Sequence, residues 1–77
     1  MEFIQLYNQN KDKLTKSENK LANYIAAHTE RVIYDTIKSL GKATNTGDAT
    51  IVRLCKKLGY SGFSDLKIAL AQDSMMT

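Results

Sequence analysis

From Gly47 to Lys57 the chain reads GDATIVRLCKK. Wound as an α-helix at about 100° per residue, this stretch separates its residue types by face. Ile51, Leu54, Cys55 and, one residue on, Leu58 share one arc, while Ala49, Arg53 and Lys56 lie opposite, with Val52 on one edge and Thr50 and Lys57 on the other. The outer set could recognise duplex DNA. Ala49 and Thr50 are small enough for close approach, and either methyl can touch a thymine methyl. Arg53 can pair with guanine O6/N7 or with a phosphate. Lys56 and Lys57 suit backbone phosphate, which positions a protein without specifying sequence. With the helix start included, the candidate DNA-facing set is Gly47, Asp48, Ala49, Thr50, Val52, Arg53, Lys56 and Lys57. The same pattern also describes a core helix with a solvated basic back.

Other reactive groups are sparse. His28 and Cys55 fall in different helical segments, and no paired carboxylates or phosphate-binding loop appears. His28 sits near a helix end, where the dipole favours its charged form, and reads as a capping or surface residue. Cys55 lies on the apolar arc and reads as a small buried hydrophobe. The sequence therefore predicts no catalytic residues, no metal site and no cofactor.

The elements that must position this helix can be read by periodicity and caps. Five helices are expected, making an all-α bundle. The first covers about Glu2–Asn10, with Phe3, Leu6 and Tyr7 on one face. The second begins at Thr15-Lys16-Ser17-Glu18, a capping box, and carries Leu21, Tyr24, Ile25 and His28 at helical spacing. TERVIYD reads as a tight connection anchored by Val32 and Ile33. Asp35 is the expected N-cap of a third helix, Thr36–Thr44. Gly41 lies inside it, a placement that suits close passage of another backbone. Asn45 tolerates the left-handed conformation that ends helices. Thr46 or Gly47 then caps the fourth helix, which stops at Gly59. A fifth helix, about Gly62–Asp73 and capped by Ser61, buries Phe63, Leu66, Ala69 and Leu70. Met75-Met76 reads as a frayed tail. Helices three and four, with the turn Asn45–Gly47, have the spacing of a helix-turn-helix.

Composition agrees with a small helical domain. The 77 residues contain four glycines and no proline, which favours helices joined by short turns. One cysteine cannot form an intrachain disulfide and points to a reducing cytoplasm. The first residues lack a signal-peptide pattern, and no apolar run approaches the roughly 20 residues of a membrane span. The net charge of +3 is unevenly placed. Residues 1–35 balance five basic against five acidic residues, whereas residues 36–67 hold six basic against two. The positive field accompanies the helix-turn-helix and favours a polyanion there.

The run ATIVRLCKKLGYSGFSDLKIAL resembles the N-terminal domain of the RpiR family of bacterial transcription regulators, whose pattern is A-T-V-x-R-F-C-x-K-L-G-F-x-G-F-x-x-L-K. Ala49, Thr50, Arg53, Cys55, Lys57, Leu58, Gly59, Gly62, Phe63, Leu66 and Lys67 match it. Upstream, Leu14, Thr15, Glu18, Ala22, Tyr24 and Ile25 match L-T-x-x-E-x-x-I-A-x-Y-I. The turn departs from the family's A-G-V-S. Thr46 stands where an apolar anchor is usual, and Gly47 replaces a serine that would cap the helix and could touch phosphate. The resemblance implies one helix-turn-helix domain, 1–77, with a homeodomain-like three-helix core. It implies a cytoplasmic regulator of sugar or sugar-phosphate metabolism that binds an operator as a homodimer, with helix 48–58 in the major groove. The phosphosugar effector would bind a C-terminal domain absent from this chain. The contrasting expectation is a helical protein-interaction or dimerisation module, using the apolar face of helix one and the last helix without reading DNA.

Overall fold

The computed structural model describes residues 2–75. Its elements are α1 (Glu2–Asn10), a 3-10 turn (Lys11–Lys13), α2 (Lys16–Ala27), α3 (Thr29–Ile33), α4 (Ile37–Thr44), α5 (Asp48–Lys57) and α6 (Phe63–Met75). No strand occurs among the described residues.

Helices α2, α4 and α5 pack against one another and form the three-helix core. Their contact faces are Leu21, Ala22 and Ile25 from α2, Leu40 from α4, and Ile51, Leu54 and Cys55 from α5, all fully buried. The remaining helices make a second layer: α6 packs on α1, α3 and α5, and α1 also meets α2. Phe3 and Tyr7, one turn apart on α1, are buried with ring centroids 6.4 Å apart. Phe63, Leu66 and Leu70 supply the buried stripe of α6, while Ala69 is only half-buried at its edge. Burying this shared apolar surface is the main favourable term for a chain so small.

Local caps explain most boundaries. At the start of α2 the Glu18 N–H donates to Thr15 Oγ1 at 3.2 Å, and the Thr15 N–H donates to Glu18 Oε1 at 2.9 Å. Two reciprocal bonds satisfy donors that the first helical turn would leave open. At its far end His28 is the C-cap, exposed, with its ring 4.4 Å from that of Tyr24.

Four sequence expectations need correction. TERVI is a helix, so the described residues form six α-helices instead of five. The Thr29 hydroxyl donates to the carbonyls of Ile25 and Ala26, the Val32 N–H donates to the His28 carbonyl, and Val32 is fully buried. Packing fixes this single turn, because so short a segment cannot sustain a helix by propensity alone. The N-cap of α4 is Thr36 and not Asp35. Thr36 has the extended backbone a cap needs and shares a capping box with Ser39, while Asp35 Oδ1 accepts from the Ser39 hydroxyl at 2.8 Å. At α6 the main chain of Ser61 is what is tied down, its N–H donating to Asp65 Oδ2 at 3.0 Å, and the helix begins at Phe63. Finally, α6 runs through Met75, two residues beyond its expected end at Asp73; Met76 lies outside the described residues.

Candidate nucleic-acid interface

The turn between α4 and α5, residues 45–47, and the end of α4 that meets it are built from residues with separate tasks. Asn45 takes the left-handed conformation, with φ 55° and ψ 45°, and closes α4 by donating its N–H to the Gly41 carbonyl. The Thr46 N–H donates to the same carbonyl at 2.9 Å. The returning chain passes so close that a Cβ on Gly41 would stand 2.7 Å from the Thr46 carbonyl oxygen. Thr46, in the place of an apolar anchor, keeps its hydroxyl 2.8 Å from that of Thr44, which in turn bonds the Leu40 carbonyl at 2.8 Å. A polar residue is thereby accommodated beside the core, because its hydroxyl is satisfied. Gly47 is the N-cap of α5 in extended conformation, with no side chain to contribute and open space where a Cβ would stand.

This turn sets the faces of α5. Ile51, Leu54, Cys55 and Leu58 are buried. Gly47, Asp48, Ala49, Arg53, Lys56 and Lys57 are exposed, with Thr50 and Val52 half-buried at the margins. All eight residues expected to face DNA thus flank or occupy the outer side of one helix. Asp48 lies in the first turn, where the helix dipole favours a negative charge. It also leaves the start of the face less basic than its middle.

The basic residues are not equivalent. Arg53 is 64% exposed; its Nη2 donates to Thr50 Oγ1 at 3.4 Å, and its Nε lies 3.8 Å from Glu18 Oε2. Lys57 turns inward, donating from Nζ to Glu18 Oε1 at 2.7 Å and to the Lys13 carbonyl at 3.2 Å. Lys56 makes no ion pair among the described residues. The expectation that Lys56 and Lys57 are alike missed this division, and Glu18 is the residue behind it. Its second role, beyond the capping box, had a signal in the sequence. Glu18 shares one helical stripe with Leu21, Ala22 and Ile25, so a buried acid should have been sought on that face. Burial works against ionising Glu18, but its bonds with Lys57 and the Thr15 N–H, and the nearby Arg53 charge, outweigh it and hold the carboxyl below the ordinary glutamate range.

Cys55 belongs to the core, and burial pushes its thiol up to about 11. It is protonated at neutral pH and packs as a hydrophobe. Tyr60 is also buried; its hydroxyl donates to Glu2 Oε2 at 2.9 Å. Burial, and then this bond, raise its pKa. Phe63 is likewise buried, with the Lys67 ammonium 5.0 Å above its ring. Neither ring is displayed for stacking on bases. No helix among the described residues is long and apolar enough to cross a membrane.

Comparison with known proteins places this geometry in a family. The sequence model described as the helix-turn-helix domain, rpiR family, matches residues 1–76. The chain is 48% identical over 63 residues to the HTH-type transcriptional regulator YbbH of Bacillus subtilis, covering 82% of this chain and 22% of YbbH. It is 40% identical over 73 residues to the HTH-type transcriptional regulator CPE0189 of Clostridium perfringens, covering 95% of this chain and 26% of that protein. The chain therefore spans about a quarter of the length of these relatives. The crystal structure of the N-terminal domain of YbbH superposes with a TM-score of 0.80 at 42% identity, over 90% of this chain and 84% of that one. The Vibrio vulnificus NanR protein, complexed with ManNAc-6P, superposes with a TM-score of 0.90 at 36% identity, over 99% of this chain and 29% of NanR.

Proposed function

The chain belongs to the rpiR family of helix-turn-helix domains, DNA-binding units of bacterial transcription regulation, and on that premise we propose that α5 is the helix it inserts into the major groove. The observation that carries this reading is the division of α5 into a fully buried apolar side and an exposed side bearing Ala49, Thr50, Arg53 and Lys56. Ala49 and Thr50 make the close approach at the helix start. Gly47 and Asp48 lie at the groove edge, and Val52 borders the face. Arg53 reaches a base edge or a phosphate, and Lys56 a phosphate. Lys57 stands at the margin with its ammonium held by Glu18.

The unit acts in the cytoplasm and performs no catalysis. One such helix reads only a few base pairs, so operator recognition calls for a homodimer on an inverted repeat. Its likeness to NanR, whose structure holds ManNAc-6P, supports a regulator of sugar-phosphate metabolism. The effector would bind outside this chain. A module that only contacts protein is less favoured, because the apolar face of α1, Phe3 and Tyr7, is already buried against the neighbouring helices. Ile68 on α6 and Tyr34 after α3 remain exposed and could serve the dimer.

Selection of duplexes from a random pool with this chain tests the reading. A recurring short sequence is expected, as an inverted repeat if two copies bind. Recovery of unrelated duplexes would contradict sequence-specific recognition.

A further inference from the structure

Glu18 is the only carboxylate in the core among the described residues, with 1% of its surface exposed. Its oxygens serve two helices. Oε1 accepts from the Thr15 N–H at 2.9 Å and from Lys57 Nζ at 2.7 Å, and Oε2 stands 3.8 Å from Arg53 Nε. Capping α2 requires only the first contact, and an uncharged glutamine could make it. The other two come from α5, and both involve cations at or beside its exposed face.

Two consequences follow for that face. The charge of Lys57 is matched inside the protein, and its remaining bond goes to the Lys13 carbonyl. An ammonium so engaged joins α2 and the preceding 3-10 turn to α5. Arg53 is drawn between Glu18 Oε2 and Thr50 Oγ1. A long side chain confined before binding loses less freedom when its partner arrives.

We propose that Glu18 is a positioning residue of the DNA interface: it orients Arg53 on the exposed face of α5 toward a base edge and keeps Lys57 as a strut between helices instead of a phosphate contact. The inference rests on the DNA-binding reading above. It runs against the simple expectation from charge, in which removing an acid beside a basic face strengthens binding to every duplex.

The test compares the 77-residue chain with Glu18→Gln, Lys57→Met, Lys56→Ala, Arg53→Ala and the Glu18→Gln/Arg53→Ala pair. Affinity for a selected and a random duplex is measured by fluorescence anisotropy over a salt series. The temperature is one at which circular dichroism shows each variant folded. Glu18→Gln is expected to lower the selected-to-random affinity ratio at least about fivefold, the lower end of what one base-reading contact provides. In the Arg53→Ala background it should change that ratio by less than about twofold, because the two residues act as one unit. Lys57→Met should leave the slope of log K against log salt unchanged, whereas Lys56→Ala flattens it by about 0.9. An unchanged ratio in folded Glu18→Gln overturns the positioning role, and so does flattening by Lys57→Met equal to that of Lys56→Ala. If Glu18→Gln does not fold, the Lys57→Met slope decides. A wild-type chain that fails to distinguish the two duplexes overturns the DNA reading itself, and this inference with it.

Discussion

The Glu18 carboxylate shows how much one residue can link in a small domain. It caps α2, anchors Lys57 and faces Arg53. Its carboxyl is held below the ordinary value of 4.5 in the folded chain, against the cost of burial. A depressed folded pKa means that folding favours the ionised form. The stabilisation is therefore complete above the unfolded value and is lost as pH falls through the folded one. Urea unfolding followed between pH 7 and pH 3 should show stability dropping below about pH 4.5, and Glu18→Gln should flatten that part of the curve. At neutral pH the same variant should be less stable by about 1.5–3 kcal/mol, toward the lower figure because Lys57 keeps 35% of its side chain in water. An identical acid profile in the variant would assign the acid sensitivity to other carboxylates.

Among the elements, the α4–turn–α5 unit was the most legible in the sequence. Gly41 and Asn45 stand four residues apart because the first lets a backbone pass and the second reverses it, and both requirements restrict residue type severely. Gly41→Ala should accordingly destabilise the chain by about 1–3 kcal/mol, despite alanine's better helix propensity, since the atom it would strike is the Thr46 carbonyl. Thermal unfolding of the variant checks this, and an unchanged or raised midpoint would contradict the close approach. The capping box at Thr15 was equally readable, being local chemistry. The α3 turn was not, because TERVI has no cap box and is helical only through contacts made by Val32 and the preceding helix. The cap of α4 was misplaced by one residue because Asp35 and Thr36 are both good caps, and only the backbone conformation chooses between them. The inward turn of Lys57 was hidden for a different reason. It depends on Glu18, 39 positions earlier, and no periodicity within α5 reports a partner on another helix.

On the scale of the whole molecule, the six helices of the described residues pack within about 30 × 26 × 21 Å. The layer of α2, α4 and α5 carries the helix proposed to enter the groove, while α1, α3 and α6 back it. The basic excess between residues 36 and 67 is spread over the first layer and its exit. Its members differ in freedom: Lys38, Lys42 and Lys56 are exposed, whereas Arg53 and Lys57 face Glu18 and Lys67 donates to the Asp35 carbonyl at 2.8 Å. Net charge alone thus overstates what is available to a polyanion. The family and the two superposed structures account for the fold, and the exposed side of α5 accounts for where DNA should sit. Titration of the isotopically labelled chain with the selected duplex, followed by amide chemical shifts, tests that location most directly. The largest shifts should cluster from Gly47 to Lys56 and recede as salt is raised. Shifts centred instead on Tyr34 and Ile68, with α5 undisturbed, would contradict the account.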